Sequence, residues 1–245
     1  MSGVLVCTTC GDQPHPRYWM SLNSLRGDFS YKPLHGKMGV DDGHNRLIDG
    51  FLQSDFEWML HLDADAVVHP LTLKRMLSWN EPFVTALAFQ RKPPYLPVYY
   101  SEGDGESSME WKRQIDETRA WLLDNVQESC TLNRPVVMGK REGALRPVHR
   151  GGAHCLLCHR DVFEAIEPPW FERYGAHKKR GSGSDFYFYD QAKQAGFTPM
   201  IDLGVIAGHL QGDWSIGAPD FLTWDTVTDI THGEEKMEIT YRFNE

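Results

Sequence analysis

The chain has 245 residues and a formal charge of −9, so no whole-chain attraction draws it to nucleic acid or an anionic membrane, although a local basic patch can still act. Its length fits one large domain or two small ones, and 41% hydrophobic residues with eight tryptophans suit a well-packed globule. No apolar run approaches the roughly 20 residues of a membrane-spanning helix, and Met1 to Cys7 lacks the basic start and long apolar core of a secretion signal. The expectation is a cytoplasmic protein without stable membrane association.

Val4 to Cys7 predicts a first buried strand, followed by a polar, proline-containing loop from Gly11 to Arg17. Trp19, Leu22 and Leu25 recur at helical spacing over Tyr18 to Leu25. Gly36 to Gly43 reads as loop, and His44 to Leu52 as a short helix with Leu47, Ile48, Phe51 and Leu52 on one side. Trp58 to Leu62 predicts a buried strand that ends abruptly in Asp63-Ala-Asp65. Pro70 suits the start of a helix whose apolar residues are Leu71, Leu73, Met76 and Leu77; Phe83 to Phe89 is a further apolar run. Strand, helix, strand, helix, strand in this order predicts βαβ units and a mostly parallel sheet.

Ser107 and Glu110 have the spacing of a capping box, and the helix they would start carries Trp111, Ile115, Leu122 and Val126 on one face. This stretch reads as an insertion packed on the sheet. Val148 to Cys158 returns to strand character around Gly151-Gly152, and Asp161 to Ile166 is a short helix. His177 to Ser184 is basic, then rich in glycine and serine. Asp185 to Ala195 predicts a helix with Gly196 as its stop, and Phe197 to Ala207 a strand leading into Gly208-His209. The sequence beyond Trp214 carries little signal.

Five cysteines, an odd number, fit a reducing compartment better than a disulfide framework. Cys7/Cys10 and Cys155/Cys158 form two Cys-x-x-Cys pairs, the second flanked by His154 and His159. Together they could build a zinc site. Both pairs lie in or beside predicted strands, where residues i and i+3 face opposite sides; small buried hydrophobes are the other reading.

Three pieces carry chemistry. Asp63-Ala-Asp65 stands where ligands collect in open α/β sheets, beyond the carboxyl ends of the strands. Residues i and i+2 share a side in extended chain, so the two carboxylates can aim at one centre, and two hard oxygen donors suit Mg²⁺ or Mn²⁺. The plainer reading is a strand followed by an acidic turn. Asp185 stands at a helix start, where free N–H groups and the dipole keep a carboxylate ionised; it is either a general base or a helix cap. His209, after a glycine at a strand end, is either a third metal ligand or structural.

The order and context of these pieces resemble nucleotide-sugar-dependent glycosyltransferases of the GT-A fold, close to glycosyltransferase family 2, and most of all the small stand-alone versions often found in bacteriophage genomes. The resemblance spans roughly residues 3 to 215. It rests on Val4-Leu-Val-Cys7 with Thr8-Thr9, Gly43 to Leu52, Leu60 to Asp65 with Pro70, Gly151-Gly152, Pro169-Trp-Phe171, Gly183 to Gly196 and Ile201 to His209. It implies an α/β, Rossmann-like GT-A domain over 1–215, with a mostly parallel central sheet flanked by helices. The nucleotide-binding half would cover about 1–92, a helical insertion about 101–130 and the acceptor half about 145–215. Residues 216–245 would form a tail packed on the domain or partly extended.

The implied activity is metal-dependent, inverting transfer of a sugar from a nucleoside-diphosphate sugar to a hydroxyl of a glycan, a protein or a modified DNA base. Asp63, Asp65 and His209 match the holders of Mn²⁺ or Mg²⁺, with Asp65 the direct ligand and Asp63 nearer the ribose. Asp185 matches the base. Thr8 or Thr9 would lie near the nucleoside and Asn45 would contact the donor. Gly152, Trp170 and Lys179 would serve the acceptor side. Ser184 stands where a glutamate is usual, and His44 where an arginine is common. The run Lys178-Lys179-Arg180 reads as a lid on the diphosphate, a contact to a phosphate-bearing acceptor, or a solvated loop. Three further expectations remain open: transfer to a hydroxymethylated pyrimidine in phage DNA, a degenerate sugar-nucleotide binder without turnover, and a zinc-stabilised interaction module on the cysteine pairs.

Overall fold

Short apolar runs alternate with amphipathic stretches along the chain, and the molecule sorts them into a sheet covered by helices on both faces. The computed structural model describes residues 3–10, 14–36, 39–101, 108–126, 138–173, 183–230 and 237–243, with backbone alone at 108–109 and from 225 onward. The strands are β1 Val4–Cys10, β2 Phe29–His35, β3 Trp58–Leu62, β4 Ala66–Val67, β5 Phe83–Leu87, β6 Tyr99–Tyr100, β7 Leu145–Pro147, β8 Arg150–Gly151, β9 Cys155–His159, β10 Met200–Ile206, β11 Gly208–Gln211, β12 Trp214–Ile216, β13 Trp224–Ile230 and β14 Met237–Phe243. The helices are α1 Pro16–Ser24, α2 Val40–Leu52, α3 Thr72–Leu77, α4 Ser108–Asn125, α5 Arg160–Glu164, α6 Ser184–Gln194 and α7 Ala218–Leu222.

Seven strands form the central sheet in the order β2-β1-β3-β9-β5-β10-β7. β1, β2, β3, β5 and β10 run one way, while β9 and the edge strand β7 run the other. The result is a mixed α/β, Rossmann-like domain with a mostly parallel sheet, as the sequence predicts. Two features are additions. β2 is an edge strand of alternating burial containing Lys32 and Pro33, and its weak apolar signal leaves it invisible to periodicity; proline and charge are tolerated there because one edge pairs with no strand among the described residues. The segment beyond Trp214 forms β12, α7 and the antiparallel pair β13–β14.

Strand side chains alternate between two cores. Leu5, Cys7, Leu156 and Cys158 enter one, with Leu47, Ile48 and Phe51 of α2, Ile115 and Leu122 of α4, and Phe188 and Tyr189 of α6. Val4, Val6, Cys155 and Leu157 enter the other, with Tyr18 and Leu22 of α1 and Leu73 and Met76 of α3. Burial on both faces is why β1, β3, β5 and β9 read as nearly continuous apolar runs. Cys155 and Cys158 thus lie on opposite faces, and the four described cysteines are buried without gathering into a metal-binding group. They act as small hydrophobes; burial pushes the Cys7 thiol up to about 12.

Helix starts and stops follow local chemistry. Gly196 ends α6 with a φ of +93°, a left-handed conformation that favours glycine. Arg160 closes α2 by donating to the carbonyls of Phe51 and Leu52. α3 is tied to β10 by a buried ion pair in which the Arg75 Nε and Nη2 meet Asp202 at 2.7 Å each, and the Trp79 indole donates to the same carboxylate at 2.7 Å. A Cβ on Gly204 would collide with the Arg75 guanidinium, so only glycine admits the arginine. Asp202→Ala removes the counter-charge and leaves Arg75 buried. It is expected to cost about 3–5 kcal/mol, read as a lower midpoint in denaturant unfolding.

Candidate active site

The end of β3 brings its acids together with residues from three other elements. β3 pairs antiparallel with β9, with Leu62 opposite Cys155, so His154 comes to lie beside Asp63. The Asp63 amide donates to the His154 carbonyl at 3.0 Å. The chain then turns through Asp65 into β4, which pairs with β11 and sets Ala66 opposite His209. The Leu210 amide donates to the Asp65 carbonyl at 2.8 Å, fixing that register.

Asp65, His154 and His209 offer ligand atoms that all lie within 4.8 Å of one another. His209 Nδ1 donates to the Phe89 carbonyl at 3.1 Å, which leaves the Nε2 lone pair 3.6 Å from Asp65 Oδ2. Burial, the neighbouring His154 and Arg91 lower the His209 pKa to about 4 against the opposing Phe89 hydrogen bond and Asp63 charge, so the ring is neutral at pH 7 and able to ligate. The Arg91 guanidinium bridges this pair, donating from Nε to His209 Nε2 at 2.7 Å and from Nη2 to Asp65. A cationic side chain thus already sits against the two donors that a metal ion would use, and the residues fit such an ion. Arg91 is half exposed, and an exposed ion pair is worth about 0.2–1 kcal/mol. Arg91→Ala removes this competitor and is expected to tighten Mn²⁺ binding in the absence of other ligands by about two- to fivefold, measured by Mn²⁺ titration of the purified protein.

Asp63 points elsewhere. Its Oδ2 accepts from His154 Nδ1 at 3.1 Å, and its Oδ1 lies 3.7 Å from His61 Nε2. Burial acts to raise its pKa, but the His154 hydrogen bond and the charges of His61, His154 and His44 outweigh it and hold the carboxyl well below the usual range. The two aspartates therefore converge on His154, whose Nδ1 is also 3.7 Å from Asp65 Oδ1, while only Asp65 shares a donor group with His209.

Asp185 stands in the first turn of α6, but its carboxylate does not cap that helix. Its Oδ2 accepts from the Ala153 amide at 3.2 Å, one residue before His154. Burial first, then the charges of Asp63 and Asp41, raise its pKa to about 6 against the opposing Ala153 hydrogen bond and His154 charge. Gly151 and Gly152 are closely packed beside it. A Cβ on Gly152 would lie 3.3 Å from Val98 and 3.9 Å from the Asp185 carboxylate, and one on Gly151 would meet the Tyr189 hydroxyl at 2.8 Å.

The remaining predicted residues divide. Thr8 is buried with its hydroxyl 2.6 Å from that of Tyr18, and Thr9 is half-buried in the same strand. The Asn45 amide is engaged with the 170–171 backbone: its oxygen accepts from the Trp170 and Phe171 amides at 3.0 Å each, and its nitrogen donates to the Phe171 carbonyl at 2.8 Å. Trp170 is buried in the core, its indole donating to the Phe163 carbonyl at 2.8 Å. Its influence on an acceptor would pass through the position of its loop, because the ring itself is packed inside. Lys179, with the basic run around it, lies outside the described residues. His154, Arg91 and His61 are the residues that sequence reasoning did not place in the site. His154 is brought there by the pairing of β9 with β3 and Arg91 by the turn after β5, for which the local sequence carries no signal, whereas His61 stands two residues before Asp63 on β3, where strand alternation already puts the two on one side.

No protein-family model matches the chain, and a comparison with curated proteins gives no match. Its fold is similar to the crystal structure of A197 from STIV, at 16% identity and a TM-score of 0.58, covering 96% of this chain and 100% of that one. At that identity the likeness concerns the fold alone. UDP-glucose pyrophosphorylase complexed with UDP-glucose (10% identity, TM-score 0.31, 80% and 64% coverage) and the inositol-1-phosphate CTP transferase from T. maritima (10%, 0.40, 87% and 90%) superpose more loosely. Superpositions this loose say nothing about the activity of this chain.

Proposed function

We propose that this chain is a divalent-cation-dependent, inverting sugar transferase of the GT-A type, using a nucleoside-diphosphate sugar as donor and an acceptor hydroxyl as nucleophile. The observation that carries the reading is the placement of the Asp185 carboxylate, hydrogen-bonded to the residue next to His154 and so adjacent to the Asp65–His154–His209 group. Asp65 and His209 would hold Mn²⁺ or Mg²⁺, with His154 a third ligand once the proton it shares with Asp63 or the Gly208 carbonyl is displaced; the mixed oxygen and imidazole donors favour Mn²⁺ of the two. When bound, such an ion supplies Lewis-acid stabilisation of the departing diphosphate.

The chain's own residues do the rest. Asp185 accepts the proton of the acceptor hydroxyl as its oxygen bonds to the sugar carbon, and its pKa near 6 suits a base at neutral pH. Asp63, aligned by His154, faces the ribose of the donor. Thr9, half-buried near the carboxyl end of β1, would border the nucleoside, while Thr8 is engaged with the buried Tyr18 hydroxyl. Asn45 holds the 170–171 loop that borders the acceptor side. The test is a thermal-shift screen of nucleoside-diphosphate sugars with and without Mn²⁺, followed by product analysis. A ligand at 100 times its Kd stabilises the folded state by about 2.7 kcal/mol, so the donor is expected to raise the melting temperature by several degrees only when Mn²⁺ is present. If no sugar nucleotide shifts the transition with Mn²⁺ present, the reading fails.

A further inference from the structure

A second histidine cluster lies on the far side of Asp63 from His154. His44 of α2 and His61 of β3 are both buried, and their rings meet edge to face with centroids 4.4 Å apart. His61 Nδ1 donates to the Ala153 carbonyl at 2.7 Å. That bond fixes the tautomer and leaves a lone pair on Nε2, which has no hydrogen-bond partner among the described residues. Neither ring nitrogen of His44 has one either, although Phe171 packs against its ring at 4.4 Å. Asp63 Oδ1 lies 3.7 Å from His61 Nε2. Three unpartnered buried nitrogens beside a carboxylate form a costly arrangement with no packing rationale, since buried polar groups are otherwise hydrogen-bonded.

We infer that His44, His61 and Asp63 form a separate binding site for a zinc-class transition-metal ion. The three ligand atoms lie within 4.8 Å of one another, close enough for a small inward movement to bring them around one ion. Two imidazoles and a carboxylate suit Zn²⁺ better than the oxygen-seeking Mg²⁺. The His61–Ala153 bond is the outer partner that metal-bound histidines use to hold their orientation. A dication here also offsets charge where Asp63 stands near Asp65 and Asp185. Ala153 joins the two sites: its carbonyl accepts a hydrogen bond from His61 and its amide donates one to Asp185. The ion would therefore steady the residue that positions the proposed base, and its binding does not depend on the transferase reading.

The test uses Zn²⁺ alone on the full chain after dialysis against a chelator, with uptake followed by a competing chromophoric chelator. Up to two Zn²⁺ per chain are expected, because Asp65, His154 and His209 offer the same donor types, and the ring-nitrogen NMR signals of His44 and His61 in the wild-type protein are expected to move on addition. In an Asp65→Asn background, which disables the other metal-binding group, His44→Phe and His61→Gln are each expected to weaken uptake of the remaining ion by more than about tenfold. The NMR readout needs no variant, so a substitution that prevents folding does not blunt the test. The inference is overturned by failure of the wild type to take up Zn²⁺, by movement of other histidine signals in place of these two, or by Zn²⁺ uptake in Asp65→Asn that neither histidine variant weakens. None of these readouts involves sugar transfer, so the two proposals stand or fall separately.

Discussion

Replacing Asp185 with asparagine is expected to lower the rate of sugar transfer by about 10²- to 10⁴-fold while leaving donor binding nearly unchanged. Asparagine keeps the size of the side chain and loses only its capacity to take a proton. The wild-type rate should fall on the acid side with a midpoint at about pH 6, the value set by burial and by the charges of Asp63 and Asp41, and the variant's residual rate should lack that limb. The same substitution should stabilise the protein. The folded state holds this proton more tightly than the unfolded chain does, so the folded state's advantage is full below the ordinary carboxylate value of 3.8 and is lost as pH rises to about 6. At pH 7 the wild type bears the whole cost of a charged, mostly buried carboxylate. In chelator-treated protein, Asp185→Asn is therefore expected to gain about 1–2 kcal/mol in denaturant unfolding at pH 7, and nothing at pH 3.5. A variant that retains near-normal turnover removes Asp185 from the role of base.

Asp65→Asn should act on metal affinity, with transfer lost as a consequence. Altering residues one shell out from a metal costs about 10- to 100-fold in affinity, so loss of a direct carboxylate ligand is expected to weaken Mn²⁺ binding by more than about 100-fold. Global stability should hardly change. Asp65 is partly exposed and its ion pair with Arg91 is at the surface, where such pairs contribute about 0.2–1 kcal/mol. Electron paramagnetic resonance of free Mn²⁺ gives the affinity directly, and circular dichroism melting checks the fold. His209→Ala should show the same pattern more weakly, since His154 and Asp65 remain. Wild-type Mn²⁺ affinity in Asp65→Asn would place the ion elsewhere.

Much of the architecture is legible in the chain because its information is local. The run Trp58 to Leu62 is read correctly to the residue, since a strand buried on both faces is a continuous apolar stretch closed by charge. α6 and its stop are legible because Gly196 alone tolerates the left-handed turn, and α2 is legible from Leu47, Ile48 and Phe51, although it begins four residues earlier than apolar spacing indicates, at Val40. The acids at the strand end and at the helix start are visible for the same reason: each marks an abrupt change from apolar to polar sequence.

Pairing between distant segments is not written in that way. β9 runs antiparallel between β3 and β5, and nothing in Cys155 to His159 distinguishes it from a parallel strand, because side-chain alternation is the same in both directions. Yet that reversal is what carries His154 to Asp63 and Ala153 to Asp185 and His61. The sequence by itself determined which segments are strands, which are helices and where the carboxylates stand. Tertiary structure alone decided that Asp65 partners His209 while Asp63 turns toward His44 and His61. Such groupings join segments far apart in the chain through sheet order and register, and those are properties of the whole packed molecule.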